Sequence, residues 1–245
     1  NRIQYSKALA SYINYKIEMA KLILNLGLRH EHIKSHRDDY GKSDAERKGT
    51  DLSSRENIIN SLIPGFGLLY KINSSSNAFL GIHKGFSPSG DKPETNPEKS
   101  INYEVGFRTK SIRLEGEIVG YVSDYSNLLG SDLAATGGSG TNELYNAGKA
   151  IVKGIEISMN YNLSNSDKLQ IPIYINYTLT DATFKENFKS SFDAWGGEIM
   201  NGYKIPYISK HQFNLGFNIK NNSLSFDVNY SFKSNVRTKP GIEMN

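Results

Sequence analysis

Leu169-Gln170-Ile171-Pro172-Ile173-Tyr174-Ile175-Asn176-Tyr177-Thr178-Leu179 puts an apolar or aromatic side chain at every odd position. The even positions carry Gln170, Pro172, Tyr174, Asn176 and Thr178. A period of two sends successive side chains to opposite faces of an extended chain, so the stretch predicts a strand with one apolar face. The same rhythm runs through Leu224, Phe226, Val228, Tyr230 and Phe232, with Ser225, Asp227, Asn229, Ser231 and Lys233 between them. It recurs at His211, Phe213, Leu215, Phe217 and Ile219, and at Leu22, Leu24, Leu26 and Leu28. Weaker versions span residues 9–19, 62–71, 78–86, 101–109, 112–122 and 150–161. That is about ten strands, several as long as the roughly 9–11 residues of a membrane-crossing β-strand. Strands of water-soluble domains are nearer about 5–6.

The connections alternate in length. Short ones are expected at 20–21, 72–76, 110–111, 163–168 and 220–223, and long polar ones at 34–57, 87–99, 125–147 and 181–203. Short and long turns in alternation are what an antiparallel up-and-down barrel with two unlike ends produces. The polar strand faces carry Arg29, Glu31, Glu104, Arg108, Arg113, Glu115, Glu117, Glu156 and Asp227. Such charges suit either a wet lumen or bulk water, so composition leaves the direction of the apolar face open. Strand length and loop asymmetry favour lipid. Tyr15, Tyr70, Phe86, Phe107, Tyr161, Tyr177 and Phe232, near strand ends, fit interfacial girdles. The Gly/Ser/Thr stretch 134–141 reads as a flexible loop rather than a linker. Residues 1–245 read as one domain.

Composition excludes other classes. The 245 residues contain no cysteine, which removes disulfides, thiol catalysis and cysteine metal sites. No run approaches the roughly 20 apolar residues of a spanning helix. The net charge of +4 comes from 29 basic and 25 acidic side chains that are interspersed, which argues against nucleic acid as a partner. Fifteen Tyr, 11 Phe and 22 Gly against 7 Pro favour strands and turns. The first residue is Asn, and no signal peptide precedes it, so the chain reads as a piece of a longer or processed protein.

No nucleophile, zinc-protease or phosphate-loop motif occurs, and no cofactor is implied. Gly137-Gly138-Ser139-Gly140 lacks the lysine and the helix a phosphate loop needs. His36, Arg37, Asp38 and Asp39 fall in the first long connection, as a charged loop. His30 and His32 share the apolar strand face near its end, which suits a girdle better than a metal pair. His83 falls on the polar face between Gly81 and Gly85. Gly65, Gly67, Gly81, Gly85 and Gly106 alternate on that face, leaving room inside a barrel or allowing curvature and close packing.

Six stretches, in this order, resemble the barrel of TonB-dependent outer-membrane receptors. They are 64–71 (Pro64-Gly65-Phe66-Gly67 onward), 81–88 (Gly81-Ile82-His83-Lys84), 96–108 (Asn96-Pro97-Glu98), 124–129, 152–156 and 205–213. Gly130-Ser131-Asp132-Leu133-Ala134-Ala135 is similar to the ferric-citrate branch. The resemblance implies a 22-stranded barrel of which ten strands are present here, with the plug domain absent and roughly three strands missing after Asn245. It implies residence in the outer membrane of a Gram-negative bacterium, contact with outer-membrane lipid, and transport rather than catalysis. The partners implied are a ferric chelate and, through the missing plug, the TonB-ExbB-ExbD system. Ferric citrate is anionic, so His36, Arg37, Lys42, Arg47, His83, Lys84 and Lys92 are the candidate ligand contacts, in the extracellular loops and upper lumen. Trp195, in the last long loop, is a candidate cover or packing residue. A passive porin, TonB-dependent uptake of a non-iron ligand (heme, cobalamin or a glycan), a barrel enzyme with a rim constellation and a soluble adhesion module are the rival readings.

Overall fold

A computed structural model describes residues 1–131, 144–164, 166, 169–190, 195, 197–221 and 223–242. The expected flexible loop 134–141, with Gly137–Gly140, and most of the stretch 130–135 lie outside them. The strands are β1 (Arg2–Met19), β2 (Leu22–Asp39), β3 (Ser53–Lys71), β4 (Ser76–Ser87), β5 (Glu98–Lys110) and β6 (Leu114–Ser126). After the short β7 (Leu129–Ser131) and β8 (Leu144–Asn146) come β9 (Ala150–Asn162), β10 (Leu169–Gln170) and β11 (Pro172–Phe184). The small β12 (Phe188–Lys189) and β13 (Glu198–Ile199) precede β14 (His211–Asn221) and β15 (Ser225–Lys233).

All pairings are antiparallel, and the main sheet runs β1-β2-β3-β4-β5-β6-β9-β11-β14, with β15 on β14. Chain order and sheet order agree, as in a meander. β7 with β8 and β12 with β13 form separate two-stranded hairpins inside two of the long connections. The alternating stretch at 169–179 is interrupted. β10 and β11 both pair with β14, and the break falls at Ile171, before Pro172, whose ring nitrogen has no hydrogen to donate to a ladder.

The structure decides which way the apolar face turns. Leu9 is 70% exposed, Ile13 68% and Val105 61%, so that face packs on nothing within the chain. Such a face has an apolar medium outside it. The opposite face is polar and glycine-rich and is the lumen face of the barrel wall. Apart from Ile59 on β3, the buried apolar side chains are found at the long-loop end: Ala147, Ala150, Ala182, Phe184 and Ile199, with Phe184 the register partner of Ala150. Trp195 belongs to this cluster, edge-on to Phe184 at 5.7 Å, with Phe184 edge-on to Phe188 at 5.3 Å.

Two strands outrun the sequence reading. The expected loop 34–57 is strand as far as Asp39 and again from Ser53, in unbroken register from Leu22↔Tyr70 to Asp39↔Ser53. Above the lipid both faces of a strand meet water, so the apolar alternation that reveals a strand disappears while its hydrogen bonds continue. His30 and His32 accordingly sit mid-strand, with His32 Nδ1 2.8 Å from Asn60 Oδ1, rather than at a strand end. The β3–β4 ladder behaves differently. It stops at Gly65↔His83, beside Pro64, while β2–β3 and β4–β5 both continue. A notch opens between β3 and β4 above that point.

Candidate functional site

The register places side chains in rows across the lumen face. One row is Gly27, Gly65, His83, Asn102 and Ser123. The next is Asn25, Gly67, Gly81, Glu104 and Tyr121. His83 is exposed there, because the neighbouring glycines carry no side chain to cover it. A methyl group added at Gly65 would first meet His83 Cβ at 3.7 Å, and one at Gly81 would meet Glu104 at 3.8 Å. These glycines therefore leave open wall. Others do not. The ring of Phe79 lies over Gly106, that of Tyr121 over Gly154 and that of Tyr174 over Gly216, each a directly paired neighbour on the next strand. An aromatic ring laid across a cross-strand glycine covers backbone that would otherwise be bare.

At the long-loop end the lumen face closes over a charged knot. Arg37 on β2 and Arg55 on β3 are register partners, and both turn toward Asp91 of the β4–β5 loop. Arg37 also reaches Asp39 at 3.2 Å, and Gln4 donates to Asp91 at 3.1 Å. Asn57 donates to the carbonyls of Gly90 at 3.0 Å and Lys92 at 3.2 Å. That loop thus fills the lumen side of the sheet above the notch. Arg37, Asp39, Gly41, Asp51, Ser53 and Arg55 line a small polar cavity of about 220 Å³ beside it.

The β2–β3 loop is tied down by buried Asp44, which accepts the amides of Lys48 at 2.8 Å, Gly49 at 2.6 Å and Thr50 at 3.1 Å. Burial works to raise the Asp44 carboxyl, but the three amide donors outweigh it and hold it below its ordinary value. Asp39, which ends β2 beyond the lipid-facing band, is held down to about 2, first by the Gly41 amide and then by Arg2 and Arg37. Neighbouring long loops are stitched together as well. Asn146 and Asn96 exchange side-chain-to-backbone hydrogen bonds, both at 2.9 Å.

The sequence candidates do not converge on one place. His83 is on the open lumen wall and Arg37 is in the buried knot. Lys42 and Arg47 are exposed in the β2–β3 loop, where Arg47 donates to Asn1 Oδ1 at 2.6 Å. Lys92 is in the β4–β5 loop. His36 and Lys84 turn out to face away from the lumen. His36 stacks on Tyr5 at 5.0 Å and meets Asp38 at 3.0 Å. Lys84 donates to the Leu62 carbonyl at 2.7 Å across the notch. Neighbours in a strand point oppositely, so His83 and Lys84 could not share a face, and neither could His36 and Arg37. Arg55, Asn57 and Asp91 were missed; the same-face register of Arg55 and Asn57 with Arg37 follows once β2 and β3 are extended, whereas Asp91 comes from the β4–β5 loop, which no strand register places. Among the described residues no group of three or more His, Asp or Glu is placed to hold a metal ion.

An antiparallel meander that is apolar outside, polar inside and short-turned at one end only defines the class of outer-membrane-type β-barrels. The chain belongs, more narrowly, to the family described as TonB dependent receptor-like, beta-barrel, whose sequence profile matches residues 1–242. Members of that family are outer-membrane proteins of Gram-negative bacteria, receptors and transporters rather than enzymes. Solved structures share the fold. The ferric citrate transporter FecA in its unliganded form superposes with a TM-score of 0.72 at 22% identity, covering 95% of this chain and 33% of its own. The siderophore receptor PiuA from Acinetobacter baumannii gives 0.71 at 19% identity, covering 94% and 33%. The ferric yersiniabactin uptake receptor FyuA from Yersinia pestis gives 0.67 at 16%, covering 94% and 34%. The chain spans about one-third of the length of these proteins.

Proposed function

We propose that this chain forms part of the barrel wall of an outer-membrane receptor that imports a ferric chelate, with ferric citrate as the first ligand to test. Family membership over residues 1–242 is the observation that carries the reading. The likeness to a ferric citrate transporter directs the choice of ligand. The lumen wall suits such a cargo, since His83 and Asn102 offer polar groups on an open surface. An anionic chelate would draw charge-assisted hydrogen bonds from such groups. Binding would be followed by movement of a plug domain coupled to TonB-ExbB-ExbD.

The test is uptake of iron-55 citrate by cells carrying the full-length protein, with and without TonB. TonB-dependent uptake that His83→Ala lowers several-fold is the expected result. Uptake indifferent to TonB would sink the receptor reading in favour of a passive pore. TonB-dependent uptake of another chelate but not of citrate would overturn only the ligand.

A further inference from the structure

Arg37 and Arg55 stand directly opposite each other on β2 and β3. Two like charges in that position repel, and an anion between them relieves the repulsion. Asp91 is such an anion. It belongs to no strand and reaches in from the β4–β5 loop. One of its carboxylate oxygens accepts from Arg55 Nε and stands 3.9 Å from Arg37 Nη1, while the other accepts from Gln4 at 3.1 Å. Asp91 and Arg37 are both buried. The loop that carries Asp91, Pro88-Ser89-Gly90-Asp91-Lys92-Pro93-Glu94-Thr95-Asn96, has no apolar side chain besides its two prolines. It is held by polar contacts: those of Asp91, the Asn57 amide on the Gly90 and Lys92 carbonyls, and the Asn96–Asn146 exchange. A segment that buries so little apolar surface sits at the low-stability end of a fold and can leave without disturbing the rest.

We propose that Asp91 is a built-in stand-in for a ligand carboxylate, and that an incoming polycarboxylate takes its place on Arg37 and Arg55 and frees the β4–β5 loop. The inference rests on the reading of the cargo as an anionic chelate. Asp91 presents to the two guanidiniums the same chemical group that citrate would. Its reach to Arg37 is long, at 3.9 Å, and a carboxylate free of the loop can settle closer between the two forks. The cavity of about 220 Å³ lined by both arginines, Asp39, Gly41, Asp51 and Ser53 gives the rest of such a group room beside them. Exchanging one carboxylate for another keeps the buried Arg37 guanidinium paired throughout, so the loop leaves without stranding a buried charge. The cost falls on the ligand. Part of its binding free energy goes into displacing Asp91, and removing the charge of Asp91 should return that part as affinity.

The experiment uses the full-length protein in detergent. It measures equilibrium binding of iron-55 citrate and follows amide hydrogen exchange across residues 89–95 with and without excess ferric citrate. Wild type is expected to bind, with faster exchange at 89–95 when the ligand is present. Asp91→Asn, which keeps the side chain's size and removes its charge, should bind about tenfold tighter. Asp91→Asn/Arg55→Gln should lose that gain. Glu46→Gln removes one negative charge from the exposed part of the β2–β3 loop and should bind as wild type does. If Asp91 were only a brace for the loop, Asp91→Asn would bind equally or more weakly. That result, wild-type exchange at 89–95 that the ligand leaves unchanged or slows, or a gain in Glu46→Gln equal to that in Asp91→Asn would each overturn the stand-in while leaving the receptor reading in place. Binding of ferric citrate by neither wild type nor Asp91→Asn would overturn the choice of ligand, and the exchange with it.

Discussion

At Gly154 a methyl group would overlap the carbonyl oxygen of Leu179 and stand 2.6 Å from the Tyr121 hydroxyl. Backbone cannot yield as a flexible side chain can, so Gly154→Ala should destabilise the full-length barrel by roughly 1–3 kcal/mol. Gly65→Ala, with its nearest atom at 3.7 Å, should fall within about 0.5 kcal/mol of wild type. Heat-unfolding midpoints in detergent check the pair, and equal midpoints would refute the division of lumen glycines into packed and open. Ala20 makes the opposite case. It turns the β1–β2 hairpin at φ 44°, a left-handed conformation that glycine adopts without a Cβ penalty. Ala20→Gly should therefore raise the midpoint, with a gain on the order of 0.5–1 kcal/mol. The sequence marked Gly65, Gly67 and Gly81 as small lumen residues. It did not tell them apart from Gly106, because what separates open from filled is the residue opposite, and that depends on register.

A strand or loop in this chain was legible in proportion to its contact with lipid. The apolar rhythm located ten main strands and the short turns, since a one-sided apolar medium writes period two into the sequence. Where β2 and β3 rise into water that imprint fades, and the knot of Arg37, Arg55 and Asp91 faded with it. The loops above are ordered by polar contacts that no local pattern announces. The β2–β3 loop supplies a pH test. The folded-state carboxyls of Asp44 and Asp39 lie below their ordinary value near 3.8, so their hydrogen bonds contribute fully above about pH 4. That contribution is lost as pH falls below this ordinary value, for Asp39 toward about 2. Amide exchange at Lys48, Gly49 and Thr50 should accelerate across this window, beyond the intrinsic pH trend, and Asp44→Asn should show the faster exchange already at pH 7. Exchange unchanged by the substitution would mean that the loop is held by other contacts. Asn146→Ala, which removes both bonds to residue 96, should loosen the β4–β5 and β6–β9 connections together, as read by protease sensitivity at each.

For the molecule as a whole, the sheet's edges decide what it can do alone. Among the described residues β1 pairs only with β2, and β15 only with β14. The first edge offers the outer ladder positions of Arg2–Met19 and the second those of Ser225–Lys233. In hydrocarbon each unpaired backbone group costs several kcal/mol, which is why only closed barrels span a membrane as sheets. Water would hydrate the edges but would also meet Leu9, Ile13, Leu224 and Phe226, all more than half exposed. Neither solvent suits both surfaces. Residues 1–245 expressed by themselves should therefore give no folded monomer in detergent, only edge-to-edge assemblies or aggregate. The full-length protein should give a compact band on unheated SDS gels that shifts after boiling. A heat-shifting monomer from residues 1–245 alone would show that β1 and β15 can close on each other, and the 22-stranded wall implied by the family would not be needed.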